Sequence, residues 1–189
     1  MEKKSNSKPK KASKQDQSSS KAKSLRDLFE DQLKDIYWAE NALVKSLPNL
    51  VDHASNNQLQ TALKEHLAQT KKQVERLDEV FKSIGVKAEG KKCDAMAGLL
   101  EEADSIISET SQGAVRDAGI ICAAQKVEHY EIATYGTLAA FARTLNERPA
   151  LELLLKTLGE EKKSDAHLSA IADTTLNSEA MSKESSSKA

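Results

Sequence analysis

The chain has 189 residues, 39% of them hydrophobic and 30% charged, enough apolar content for one domain with a real core. Lys+Arg (28) and Asp+Glu (29) nearly balance, so charge over the whole chain points to no particular partner. Seven Gly, three Pro and no period-two alternation of β-branched residues argue against an all-β fold and for helices.

Residues 1–23 carry eight Lys against Glu2 and Asp16, a local net charge of +6, with almost nothing apolar. Such a segment cannot offset the entropy lost on ordering and is expected to be disordered. It reads as a solubilising tail or, more sharply, as a tether making weak contact with nucleic acid, since clustered Lys neutralises phosphates without needing a fold. No Arg or aromatic residue accompanies the lysines, so base-specific readout is not expected. Residues 24–175 then form the helical domain, and the Ser/Lys-rich residues 176–189 a flexible C-terminal tail. Cys93 and Cys122 give no disulfide framework and suit a reducing cytosol. No apolar run approaches the ~20 residues of a membrane span, and the basic N-terminus lacks a signal-peptide core. A soluble cytoplasmic protein is expected.

Ser24 with Asp27 has the form of a capping box and opens a first helix over 25–54. Its apolar face is Phe29, Leu33, Ile36, Leu43, Leu47 and Leu50, interrupted once by Glu40, with Pro48 expected to kink the end. Ser55-Asn56-Asn57 supplies a turn and an N-cap. A second helix over 57–84 carries Leu59, Leu63, Leu77 and Val80 on one face, with His66, Thr70 and Gln73 in the middle. Gly85 to Lys92 ends it. A shorter crossover helix over 94–109 presents Met96, Leu99, Leu100, Ala103 and Ile107, and Gln112-Gly113 closes it. The third long helix spans 114–145. Positions 124, 128, 131, 135, 138, 142 and 145 step by three and four, so Ala124, Glu128, Glu131, Tyr135, Leu138, Ala142 and Leu145 share a face. The last long helix, over 149–174, opens with Pro149 at a first helical position and carries Leu151, Leu154, Leu158, Glu161, Asp165, Leu168 and Ala172.

Two tight helical hairpins joined by a long crossover predict an all-α, ferritin-like four-helix bundle. Counting from the turns places the polar interruptions. Glu40 and Thr70 lie about fifteen residues either side of residue 55, and Glu131 and Glu161 about fifteen either side of residue 146. In antiparallel helices of equal rise these four meet at one level, with His66, Gln73, Glu128 and Asp165 a turn or less away. Charges on a face meant for burial are costly unless paired, protonated or bound to a cation. Glu40, Glu128, Glu131, Glu161 and Asp165, with His66, therefore read as ligands for one or two hard divalent cations, iron or manganese. A protonated polar network is the alternative. His66 alone on an apolar face reads equally well as a hydrogen-bonded core histidine. His129 is expected at the surface, His53 and His167 in solvent, and Tyr37 and Tyr135 in the core.

Several runs resemble the bacterial YciE/YciF stress proteins, a branch of the ferritin-like superfamily often labelled ferroxidases. They are Asp35-Ile36-Tyr37-Trp38-Ala39-Glu40, Glu65-His66-Leu67-Ala68-Gln69-Thr70, Gln73-Val74-Glu75-Arg76, Lys92-Cys93 with Ala95-Met96, Gly98-Leu99-Leu100-Glu101-Glu102-Ala103, Ala123 to Leu138, and Thr157-Leu158-Gly159-Glu160-Glu161-Lys162 with Asp165. Together they cover about residues 24–172. The resemblance implies a homodimeric bundle acting in stress response, with a di-iron site and ferroxidase activity. The chain departs from rubrerythrin-type sites, which use Glu-x-x-His on two helices. Thr70-x-x-Gln73 stands where the second helix would offer that motif, and Ser164 where the fourth would offer its His. The rival expectation is a non-enzymatic stress protein with a vestigial site, acting through a partner such as DNA.

Overall fold

The computed structural model describes residues 22–186, all in helices or short connections. The helices are α1 Leu25–His53, α2 Asn57–Ser83, α3 Asp94–Glu109, α4 Ala114–Thr144, α5 Arg148–Ile171 and α6 Asn177–Ser186, with a π-helical turn Ala172–Leu176 between the last two. The expected basic tail over residues 1–23 falls almost wholly outside the described residues.

The predicted starts rest on the caps that set them. Ser24 accepts from the Asp27 amide, and the Asp27 carboxylate accepts from the Ser24 amide, a full capping box. Asn56 accepts from the amides of Gln58 and Leu59, and Pro149 sits in the first turn of α5. Cys93 caps α3 through its sulfur, which takes the Met96 amide at 3.3 Å. The turn between α1 and α2 has a further anchor that periodicity does not reveal. Asp117 of α4, 2% exposed, accepts from the amides of Ser55 (2.7 Å) and Asn56 (3.0 Å).

α1 packs along α2, and α4 along α5; the hairpins meet where α2 faces α5 and α1 faces α4. This is the ferritin-like arrangement of two antiparallel hairpins. α3 crosses between them, against α4 and more lightly against α1. The loop that leads to α3 lies on α1, where Lys91 donates its amide to the Lys34 carbonyl at 3.0 Å. A β-carbon at Gly90 would come 3.3 Å from Trp38 Cα and 3.1 Å from its Cβ, so any other residue would have to push the loop off α1 by a few tenths of an ångström. The residues named for the core faces of α1 and α2 are all buried.

α5 differs by one residue. Its buried positions are Ala150, Leu154, Thr157, Glu161, Leu168 and Ile171, whereas Leu151, Leu158 and Ala172 are partly exposed. The C-terminal tail expected from residue 176 begins within the described residues. The helical path continues to Ser186, and Leu176 is fully buried.

Candidate metal centre

Midway along the bundle, four glutamates leave the solvent entirely. Glu40 comes from α1, Glu128 and Glu131 from α4, and Glu161 from α5, and none is more than 1% exposed. α2 contributes His66, 8% exposed. His66, Glu128, Glu131 and Glu161 each bring one ligand atom within 4.8 Å of the others. Glu40 borders this set: its charge is felt by Glu131 and Glu161, and it accepts a hydrogen bond from the buried Tyr135 hydroxyl. Asp165 does not join it. Its carboxylate turns outward to His129 Nε2 at 3.3 Å and Gln125 Nε2 at 3.3 Å. The position that reaches the cluster is Ser164, because the core face of α5 is rotated from the one its leucines suggest.

Ser164 sets the state of two candidate ligands. Its hydroxyl donates to Glu128 Oε1 at 2.8 Å and lies 3.3 Å from His66 Nδ1. A serine hydroxyl has one proton, so with that proton given to Glu128 it accepts from His66 Nδ1–H. Burial drives the His66 pKa down to about 4, so the ring is neutral. The lone pair is thereby left on Nε2, which faces Glu128 Oε1 at 3.5 Å. A second polar residue holds the α5 side: the Gln73 amide donates to Glu161 and, at 3.3 Å, to Glu160.

The carboxylates lack compensation. Both oxygens of Glu131, and one each of Glu40 (Oε2), Glu128 (Oε2) and Glu161 (Oε2), are buried without a hydrogen-bond partner. Loss of solvent, and then the charge of Glu161, pushes Glu40 up to about 8 and Glu128 to about 10. Desolvation also raises Glu161 to about 7 against the opposing hydrogen bond from Glu128. Glu131 rises well above the ordinary range through burial and then the charges of Glu40, Glu161 and Glu128. A bond between the Glu128 and Glu161 carboxyls is the pairing open within the cluster, and it requires a shared proton. Two outcomes satisfy such a group of oxygens: protonation, or a multivalent cation.

One turn further along α2 and α5, charge is handled differently. Arg76 donates to Glu160 through Nη1 (2.7 Å) and Nη2 (3.0 Å) and to the Thr157 hydroxyl at 2.6 Å. This pair and its threonine are legible only once the rotation of both helices is known. The same holds for a network linking α1 and α4 to the start of α3, in which the Tyr130 hydroxyl donates to Asp35 at 2.7 Å and lies 3.1 Å from the Cys93 sulfur. Among the remaining residues singled out in sequence, Tyr37 packs edge-on against Phe81. His129 and His167 are exposed, and His53 is held by the Asn49 carbonyl at 2.8 Å.

A four-helix bundle with a buried histidine–carboxylate cluster at mid-height is the class these features define. Within that class, residues 24–181 match the family "Domain of unknown function (DUF892)". The chain is 46% identical over 162 residues to Protein YciF of Escherichia coli (strain K12), covering 85% of this chain and 98% of that protein. It superposes on the crystal structure of the E. coli stress protein YciF with TM-score 0.80 and 46% identity, covering 82% of this chain and 99% of that one. A Rhodopseudomonas palustris protein described as YcfI, a putative structural protein, gives TM-score 0.77 at 44% identity over 78% of this chain and 94% of that one. A Xanthomonas campestris pv. campestris protein at 16% identity (TM-score 0.70, 86% of this chain and 99% of that one) shares the fold alone. The chain belongs to the DUF892 family, the family of YciF. Among the described residues, no helix is long and apolar enough to cross a membrane.

Proposed function

We propose that this protein is a cytoplasmic stress-response bundle that binds iron, with manganese as the alternative, between its four long helices, and that it oxidises Fe(II). The observation that carries the reading is Glu131, whose two buried oxygens have no partner in the fold. A cation does for such oxygens what no neighbouring side chain does. The donor set suits it: carboxylate oxygens and one neutral imidazole favour iron or manganese over softer metals. Glu128, Glu131, Glu161 and His66 Nε2 would hold the ion, with Glu40 as the ligand bordering them. Bound iron would supply one-electron chemistry, Fe(II) giving up an electron to oxygen or peroxide, and a carboxylate-rich site favours the more highly charged product. The residues around it keep the ligands in place. Tyr135 fixes Glu40, Gln73 fixes Glu161, and Ser164 orients Glu128 and His66 together. The relative's description as a stress protein agrees with a role in handling iron or oxidant.

The α2 wall favours a second reading. Thr70 is turned back to its own helix, donating to the His66 carbonyl at 2.9 Å, and the Gln73 amide is spent on Glu160 and Glu161. That wall offers no carboxylate, which suits a weak site in a non-enzymatic protein that works through a partner. The two readings separate in one experiment. Protein purified without chelator is analysed for bound metal, and the metal-free form is then titrated with Fe(II) in air. Bound iron with oxidation faster than the protein-free blank supports the ferroxidase reading. Binding without faster oxidation supports the second. No retention of iron or manganese removes both the site and the activity.

A further inference from the structure

The carboxylate cluster has a neighbour with a different character. A cavity of about 140 Å³ opens between α2 and α5 and runs into the bundle on the side of the α1–α2 turn. Its walls are apolar and come from α1 to α5: Leu47, Leu63, Ala103, Ala124, Val127 and Leu168. The mouth is polar, formed by Glu65 and Gln69 on α2 and Lys163 and His167 on α5. Three residues of the cluster described above, His66, Glu128 and Ser164, also line it. Apolar cavities of ~150 Å³ stay dry and take up a benzene-sized molecule, so this one is large enough for a single aromatic ring. One feature distinguishes it from a simple packing gap. His66 Nε2 carries a free lone pair, and Glu128 Oε2 is buried without a hydrogen-bond partner. A ligand hydroxyl has one proton, which it can donate to His66 Nε2 or to the orphaned Glu128 Oε2, both of which line the inner wall.

We propose that this cavity binds a small, single-ring phenol, with its ring among the leucines and alanines and its hydroxyl against His66 and Glu128. The site does not require metal, and a bound ion would compete with the hydroxyl for His66 Nε2 and Glu128. The polar mouth would admit the ligand between α2 and α5, while the hydroxyl selects against purely apolar molecules of the same size, because they leave the inner polar groups unpaired.

The test uses the full-length protein after chelator treatment, titrated calorimetrically with phenol and with benzene. The expected result is one saturable site per chain, with phenol bound about fivefold more tightly than benzene, the difference that one net hydrogen bond makes. Nuclear Overhauser contacts from the bound phenol ring should fall on the methyl groups of Leu47, Leu63 and Val127. Ala124→Leu, which fills the cavity, should weaken both probes by about tenfold or more. Absence of saturable binding, contacts to methyl groups elsewhere, equal affinity for the two probes, or undiminished binding by a folded Ala124→Leu variant would each overturn the proposal. If that variant does not fold, the contacts in the unaltered protein decide. Metal content is read on protein purified without chelator, so the outcome for this proposal and the outcome for the iron-binding reading are distinguishable.

Discussion

Arg76–Glu160 and the glutamate cluster are neighbouring sets of charge that meet on α5, at Glu160 and Glu161, and the fold treats them oppositely. Arg76 is matched by both oxygens of Glu160 and by Thr157. Burial pushes the Glu160 carboxyl up, but the Arg76 hydrogen bonds and charge outweigh it and leave its pKa lowered. Glu131 has no partner for either oxygen, and its neighbours are further carboxylates. A fold able to build the first arrangement was not short of means to build the second that way. The difference teaches that α2–α5 is stapled by a self-sufficient ion pair, whereas the cluster is complete only with something added, a proton or a cation.

The largest effect that tests this contrast is the pH response of the metal-free protein. Glu161, Glu40 and Glu128 have folded pKa values of about 7, 8 and 10 against an ordinary 4.5. Groups raised in the folded state contribute stability that is fully present below the unfolded value and lost as pH rises through the folded one. Each costs up to about 1.4 kcal/mol per pH unit within that window. Denaturant unfolding of metal-free protein should therefore show stability falling by several kcal/mol between pH 5 and pH 8. Saturating Mn(II) should flatten the slope, because ionised carboxylates then have a partner. A flat profile without metal would erase the distinction between the two regions.

Next in size is the ion pair itself. Arg76→Met leaves Glu160 partly buried with the Gln73 amide as a partner but no cation, and should destabilise by about 3 kcal/mol. Adding Glu160→Leu should recover most of that loss, since an apolar pair of similar volume commonly replaces a buried salt bridge at little cost. Equilibrium unfolding of the single and double variants checks both. Metal content should be retained in the double variant, because neither residue belongs to the candidate ligand set.

Glu131→Gln carries the opposite pair of signs. It should lower metal content and at the same time stabilise the metal-free form, more at pH 8 than at pH 5, because burial and the neighbouring carboxylates raise the Glu131 pKa well above its unfolded value. A residue with a plain packing role would give lower or unchanged stability and no metal to lose. Thermal melts at the two pH values, with metal analysis of the same samples, distinguish these outcomes.

How much of this was legible in the sequence depends on which helix is asked. α1 and α2 have one clean apolar stripe each, so Glu40 and His66 were placed by periodicity alone, and level counting brought Glu40, Glu131 and Glu161 to mid-bundle. α5 begins with leucines at 151, 153, 154 and 155, which point in several directions and do not choose a face. Choosing Leu158 over Thr157 rotates the helix by one residue, and that alone moves Asp165 inward and Ser164 outward. The structure has them the other way round. Pairings such as Arg76–Glu160 and Asp117 with the α1–α2 turn join helices whose mutual rotation periodicity does not encode.

Ser164 therefore gives the smallest and most local prediction. Its hydroxyl lies between Glu128 and His66, and its hydrogen bond is among the influences that hold the Glu128 pKa down. Ser164→Ala removes that support, so Glu128 should hold its proton to higher pH and give it up less readily to an incoming cation. His66 Nδ1–H loses its acceptor as well, which frees the ring to turn or to change tautomer and makes the Nε2 lone pair less available. Both changes weaken metal binding through the ligands that Ser164 touches. The expected loss is about fivefold in affinity at pH 7, equivalent to about 1 kcal/mol, and it should hold from pH 6 to pH 8, all below the Glu128 pKa of about 10. Stability of the metal-free form should move by no more than about 1 kcal/mol. Titration of Mn(II) at pH 6, 7 and 8 measures the effect, and an affinity unchanged by Ser164→Ala at all three would mean that the hydroxyl supports neither Glu128 nor His66 as a ligand.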